Sequence, residues 1–324
     1  MAPKFSVVIP TYNQADFLKI ALQSVLVQTC QDFEIIVVNN NSTDHTPEVV
    51  RQIQEEDARV KALDFKDSHV IGAVRNAGIR ASRGEYIAFL DSDDTWYPDK
   101  LKKVAEVIAA VPGVGLIGHD EEMVREGSAT IRSKSGPPAH YRGDMHDYLL
   151  FKANFVALPA AVVARRHLNE VGNFSEDPSI NTVEDYDLWL KLSKVCRFEF
   201  IAEALGVHIY HAAGASTNVE VHLRALLAVL DKHFNEHQSS SWFHMKKSRH
   251  RQYSNAYYGA ARQYQRRGAV IKPIGHYFRT LKAYPFHLRA YAGLALLALD
   301  IMLGQGKRQR IAQAFWPGGR LASW

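Results

Sequence analysis

Two short acidic segments lie far apart in this chain. One, Asp91-Ser92-Asp93-Asp94, directly follows the apolar run Tyr86–Leu90; the other, Glu184-Asp185-Tyr186-Asp187-Leu188-Trp189, opens a helical pattern. Carboxylates gathered at the end of a strand are unfavourable unless a positive group sits on them. Mg²⁺ or Mn²⁺ carrying phosphate meets that need, because hard cations take carboxylate oxygens. The distant acid then stays available as a base. Together the two segments read as the machinery of an enzyme that moves a group off a nucleotide diphosphate.

Positioning these groups calls for alternating strands and helices. Phe5–Ile9 reads as a buried strand, and Leu18, Leu22, Val25 and Leu26 recur at helical spacing with Asp16 as N-cap. Phe33–Val38 is a second strand, followed by a polar run from Asn39 to Asp44 and a helix start at Thr46-Pro47. Val60–Phe65, His69–Ala81, Tyr86–Leu90 and Asp99–Ala110 continue the alternation, and Leu116-Ile117 adds a short strand. This order predicts an α/β domain with a mostly parallel sheet and right-handed crossovers. Thr11, Asn13, Asn39–Asp44 and Asp91–Asp94 all follow strands, and in such sheets those ends line the ligand crevice. Residues 120–150 are polar and rich in Gly, Pro and Ser, so a loop is expected there. Pro159–Ala164, Phe198–Ala202 and Val207–Tyr210 read as strands and Glu184–Leu192 as a helix. Beyond about residue 217 the pattern is helical only: 219–233, 242–266, 270–283 and 287–303.

With 324 residues and 47% hydrophobic residues the chain can bury a substantial core. Its two cysteines, Cys30 and Cys196, form no metal-binding spacing and no disulfide framework. The N-terminal apolar run is too short for a signal peptide, which leads to the expectation of a cytoplasmic protein. No dinucleotide fingerprint, Walker A loop or HExxH motif is present. The net charge of +5 hides an asymmetry: residues 1–210 carry a balance of −8 and residues 211–324 one of +13. The second region is expected to face something anionic, a membrane surface or nucleic acid.

Val7-Val8-Ile9-Pro10-Thr11-Tyr12-Asn13, Val38–Asp44, Arg75-Asn76-Ala77-Gly78, Asp91-Ser92-Asp93-Asp94 and Glu184-Asp185 stand in an order and spacing that resembles the family 2 glycosyltransferases of GT-A fold. The resemblance covers roughly residues 5–216. It implies a catalytic domain over 1–216, an all-helical region over 217–324, and inverting transfer from a nucleotide-diphosphate sugar to a hydroxyl. In that family the DxD aspartates bind the ribose and a divalent cation, which gives Asp91 to the ribose side and Asp93 to the metal. The resemblance makes Asp185 the general base and Glu184 a group that positions the acceptor. It places Thr11, Tyr12, Asn13, Asn39, Arg75 and Asn76 around the nucleotide. The family usually has aspartate where Asn39 stands; Asn39 offers both a carbonyl acceptor and an amide donor, so a UDP-sugar is the leading donor while cytosine becomes more tolerable. His208-Ile209-Tyr210-His211 resembles a late Tyr-Arg-x-His segment with its tyrosine and arginine replaced, and implies His211 as a metal ligand that would favour Mn²⁺ over Mg²⁺.

The acceptor implied is a glycan or lipid-linked hydroxyl of a bacterial surface polysaccharide or glycolipid. Basic and apolar residues interleave from Phe278 to Arg289 and again at Arg310, Phe315, Trp316, Arg320 and Trp324. They predict a peripheral contact with an anionic membrane on its cytoplasmic face; a bundle packing on itself or on a second subunit, as a homo-oligomer, is the alternative. A noncatalytic sugar-binding protein of the same fold is the competing function, and no nucleic-acid partner is expected.

Overall fold

The computed structural model describes residues 2–66, 69–125, 131–133, 143–210, 218–237 and 242–303. The chain divides into two compact units, residues 1–217 and 218–324.

The first unit is built on a nine-stranded sheet in the order β3 (Val60–Asp64), β2 (Phe33–Asn39), β1 (Phe5–Thr11), β4 (Tyr86–Phe89), β8 (Val162–Ala164), β6 (Leu116–Arg125), β9 (Phe198–Tyr210), β5 (Thr95–Trp96), with β7 (Ile131–Ser133) paired to β6. Strands β1 (Phe5–Thr11), β2 (Phe33–Asn39), β3 (Val60–Asp64) and β4 (Tyr86–Phe89) run parallel. They are joined through helices α1 (Ala15–Leu26), α2 (Thr46–Glu56) and α3 (Ile71–Ala81). Strands β1 and β2 are buried along their whole length, as a parallel sheet covered on both faces requires. Register aligns Thr11 with Asn39 and Asn39 with Asp64, so the ends of three strands share one edge. The close approach of α3 to this sheet depends on Gly78, where a Cβ would lie 2.4 Å from Val8 Cγ1. Asp16 does not cap α1. The helix begins one residue earlier, and its Ala15 amide donates to the Asp44 carboxylate at 3.2 Å, a cap borrowed from the β2–α2 segment.

The other half of the sheet departs from the expected pattern. After β5 (Thr95–Trp96) and α4 (Lys100–Ala110), strand β6 runs from Leu116 to Arg125 and carries His119, Asp120 and Glu121 into the interior. The region expected to be a loop from 120 onward thus begins as strand. It also contains β7 (Ile131–Ser133) and α5 (Met145–Phe151), the latter capped by Asp144, which accepts from the Asp147 amide. The reason is tertiary: β6 lies parallel to β9 (Phe198–Tyr210), and the sheet satisfies a backbone whose side chains are polar. For the same reason β9 is one continuous strand through register shifts, not two short ones. Strand β8 (Val162–Ala164) inserts antiparallel between β4 and β6. It is followed by α6 (Arg165–Val171), and α7 (Glu184–Leu192) precedes β9.

The second unit consists of helices α8 (Val219–Glu236), α9 (Trp242–Arg266), α10 (Ile271–Ala283) and α11 (Leu288–Leu303). The Asn218 side chain caps α8 by accepting from the Val221 amide. Val219 and Leu223 pack with Ala256 and Ala260, while Ala261, Tyr277, Ala290 and Leu297 form a second cluster. The ring of Tyr277 fills the space left by Gly293, where a Cβ would stand 2.4 Å from it. No helix among the described residues is long and apolar enough to cross a membrane.

Candidate functional site

Arg75 organises the site. It lies on α3, which follows β3, and is almost fully buried. One guanidinium nitrogen donates to Asp91 Oδ1 at 2.8 Å and the other to Glu184 Oε1. Acids separated by 93 positions in sequence are thereby held by one side chain. The guanidinium carbon lies 5.6 Å from the centre of the Phe174 ring, which itself packs edge-on against Phe89 at 5.2 Å. Burial opposes the arginine's charge, but Asp91 and Glu184 outweigh it and raise its pKa. Its Nε has no partner among the described groups. Arg75 therefore does the acid-holding task, and Asp91 is engaged by it.

Helix α7 presents the second acidic pair. Tyr186, Leu188, Trp189, Leu190 and Leu192 are buried. Tyr186 Oη donates to the Leu149 carbonyl at 2.9 Å and Trp189 Nε1 to the Val156 carbonyl at 3.1 Å. This anchoring leaves the N-terminus of α7 fixed at the site, where backbone amides favour negative charge. Asp185 Oδ1 accepts from the Tyr186 amide at 2.7 Å. Burial, then the neighbouring Glu184, push the Asp185 carboxyl up to about 7. A carboxylic acid with that affinity is poised to exchange a proton near neutrality. Glu184 keeps its Oε2 buried, with no hydrogen-bond partner among the described groups.

The acidic turn after β4 holds three carboxylates together. Asp93 is pushed up to about 6 by burial, then by Asp91 and Asp94. Among the described residues, no group of three or more His, Cys, Asp or Glu is arranged to enclose a metal ion by itself. The donor set still fits a cation shared with a diphosphate: Mg²⁺ commonly takes one or two carboxylates and completes its shell with phosphate and water. Asp93, an oxygen donor whose ionised form is disfavoured by its like-charged neighbours, suits that arrangement. His211, the other candidate ligand, lies outside the described residues.

At the strand ends, Asn13 adopts φ 51°. Its Oδ1 accepts from the Thr43 amide at 2.7 Å and the Asp44 amide at 3.3 Å, while its own amide donates to Ser42 Oγ. Asn13 thus stitches the β1 and β2 ends into one rim. Tyr12 beside it is exposed. Thr11 is buried, and its Oγ1 has no partner among the described groups. Asn39 donates through Nδ2 to Asp64 Oδ1 at 3.1 Å and accepts at Oδ1 from the Ser42 amide at 3.1 Å. The Asn76 amide group bonds elsewhere: Nδ2 to the Phe174 carbonyl (3.0 Å) and Glu176 Oε1 (2.9 Å), and Oδ1 from the Phe174 amide (3.1 Å). Its observed contacts fasten the segment that carries Phe174 beneath Arg75.

Asp94 and His208 stand in separate segments of the sequence; in the fold they join Glu121 and Lys100, which the sequence does not single out, in a polar layer behind the acidic turn. Asp94 is buried and bonds the Ile209 amide at 3.0 Å and His208 Nδ1 at 3.1 Å, joining the turn to the end of β9. The Asp94 hydrogen bond, helped by nearby carboxylates and opposed by burial, raises His208 to about 9. Glu121 on β6 is buried, with Oε1 unpartnered among the described groups, and burial followed by Asp94 pushes it up to about 7. Lys100 is wholly buried against the Trp96 ring at 3.5 Å and the Pro159 carbonyl, and burial drives its pKa well down. The signal for these residues was weak. His119-Asp120-Glu121 interrupts an apolar strand start, and only the β6–β9 pairing turns the interruption inward.

The chain matches the model of Glycosyl transferase family 2 over residues 6–171. It is 36% identical over 157 residues to an uncharacterized glycosyltransferase of Nostoc sp., covering 48% of each chain. It spans about half or less of the length of the first curated relatives it matches. In solved structures it resembles Staphylococcus aureus TarS 1–349 in complex with UDP-GlcNAc (TM-score 0.62, 19% identity, 87% of this chain and 89% of that one). It also resembles the mannosyltransferase PcManGT of Pyrobaculum calidifontis in complex with GDP-Man and Mn²⁺ (TM-score 0.60, 19% identity, 97% and 85%). At those identities the two structures speak for the fold.

Proposed function

Because the chain belongs to glycosyl transferase family 2, we propose that it transfers a sugar from a nucleotide-diphosphate sugar to a hydroxyl with inversion at the anomeric carbon. The observation that carries this reading is the Arg75 bridge, which holds Asp91 of the acidic turn and Glu184 of α7 on one guanidinium. Asp185, next to Glu184 and pushed up to about 7, would take the acceptor's proton as its oxygen attacks from the face opposite the leaving diphosphate. Glu184 and Arg75 would orient that acid and keep Asp91 aimed at the ribose. Thr11, Tyr12, Asn13 and Asn39 would border the nucleotide, with Asn39 keeping one lone pair of its carbonyl for the base. Asp93 would hold Mg²⁺ or Mn²⁺, with His211 as a further candidate. When bound, the cation supplies charge stabilisation to the departing diphosphate, greater in the transition state than in the ground state.

The named complexes of the structural neighbours, with UDP-GlcNAc in one and GDP-Man and Mn²⁺ in the other, support this donor class and this cofactor. A UDP-sugar remains the first donor to test. The acceptor proposed is a glycan or lipid-linked hydroxyl at the inner face of a bacterial cytoplasmic membrane. Asp185→Asn keeps size and much hydrogen bonding but cannot accept the proton. It should bind donor like the wild type and lose roughly 10²-fold or more in kcat. Near-wild-type turnover at saturating acceptor would remove Asp185 as the base, and a product with the donor's anomeric configuration would reject a single displacement.

A further inference from the structure

Helix α11 is apolar on two faces, and only one of them is buried. Ala290, Gly293 and Leu297 pack inward on the Tyr277 cluster. Leu288, Ala292, Ala295, Leu299 and Met302 recur at intervals of four, three, four and three residues, and all are exposed. That spacing draws a stripe along one side of the helix. Leu288 is 79% exposed and Met302 74%. Single exposed apolar residues are ordinary on soluble proteins, whereas a continuous stripe marks an interaction surface. Phe286 in the α10–α11 connection (77% exposed) and Phe278 on α10 (62%) add large apolar groups close by in sequence.

Charge identifies the occupant. From His237 to Leu299 there are eleven Lys and Arg residues and no Asp or Glu. Arg279, Lys282 and Arg289, which bracket the turn into α11, are all exposed. The single acid of α11, Asp300, accepts from Gln265 Nε2 of α9 at 3.4 Å. A second copy docking through this same face would bring the same excess of cations and repel it; an anionic lipid headgroup layer attracts it, and the acyl boundary accepts Leu, Phe and Met. We infer that the exposed α11 stripe and the cations at its N-terminal end form an interfacial docking surface for anionic phospholipid. At 1.5 Å per residue the 16-residue helix is about 24 Å long, shorter than the roughly 30 Å hydrocarbon core. It therefore lies along the interface and does not span it. The surface stands independently of the sugar-transfer reading.

The test uses the full chain, without donor or acceptor, and vesicles of phosphatidylcholine alone or with one-third phosphatidylglycerol. Wild-type protein should co-sediment with the anionic vesicles at least ~10-fold more strongly than with neutral ones. The triple variant Leu288→Ser, Leu299→Ser, Met302→Ser, checked by circular dichroism, should lose ~10-fold or more of that binding. Arg279→Gln with Lys282→Gln should erode the preference for phosphatidylglycerol. Equal sedimentation of wild type and a folded triple variant overturns the inference. So does a wild type that ignores anionic vesicles, or one whose triple variant only converts a dimer to a monomer, which would make the face a contact between copies. Should the triple variant not fold, equal partition onto the two vesicle types is the overturning result.

Discussion

At the scale of single residues, the chemistry depends on acids forced into positions where ionisation is unfavourable. For Asp185 the sign is clear: its carboxyl is raised above the ordinary 3.8 by burial, then by Glu184. The ionised form that the proposed proton abstraction requires therefore accumulates only as pH climbs through about 7. A plot of log kcat/KM should fall with unit slope below that pH and level off above it; a profile flat down to pH 5 would defeat the assignment. The same shift means that ionised Asp185 weakens the fold, a cost that grows from about pH 4 and is complete above about 7. Asp185→Asn should accordingly raise Tm at pH 8 while depressing turnover. Asp93, pushed up to about 6 by burial, Asp91 and Asp94, is the acid that the proposal assigns to the cation. Asp93→Ala should abolish the metal-dependent part of donor affinity, read by calorimetric titration with Mn²⁺, while leaving the fold intact. Affinity that still depends on metal to the same degree would exclude Asp93 as the ligand.

At the scale of elements, the site is set by how α3, the acidic turn, α7 and the segment around Phe174 lock together. Asn76 and Gly72, one turn apart on α3, both meet the 174–176 segment. Asn76 bonds the Phe174 backbone, and a Cβ on Gly72 would stand 2.3 Å from the Ser175 carbonyl oxygen. Because the obstacle is backbone, it cannot swing aside as a side-chain end would. Gly72→Ala should destabilise the protein by about 1–3 kcal/mol, measured by urea unfolding. It should also lower turnover, since the shifted segment carries Phe174 from beneath Arg75. Wild-type stability and rate together would show that this packing does not set the site.

At the scale of the whole molecule, the two units have opposite charge balances and separate cores. The first buries a sheet of parallel and antiparallel strands and gathers acids at its strand ends; the second is a set of helices with cations and an apolar stripe on its surface. The alternation of apolar runs and turn residues is enough to specify strands β1 to β4, helices α1 to α4 and the helical second unit; β1, β2 and β4, buried on both faces, carry the strongest local hydrophobic signature, and the edge strand β3 a weaker one. The residues with chemical potential were equally visible, since Asp91, Asp93, Glu184 and Asp185 stand at recognisable strand and helix ends. What the chain order could not say is which groups meet. Arg75 and Asn76 both read as groups bordering the nucleotide; only the meeting of α3 with α7 and the 174–176 segment shows that Arg75 bonds Asp91 and Glu184 and that Asn76 bonds the Phe174 backbone. Asp120 and Glu121 read as loop until β9 pairs with β6. Local pattern records whether a residue is to be buried; hydrogen-bond partners and pKa shifts arise from neighbours distant in sequence, and only the folded chain supplies those.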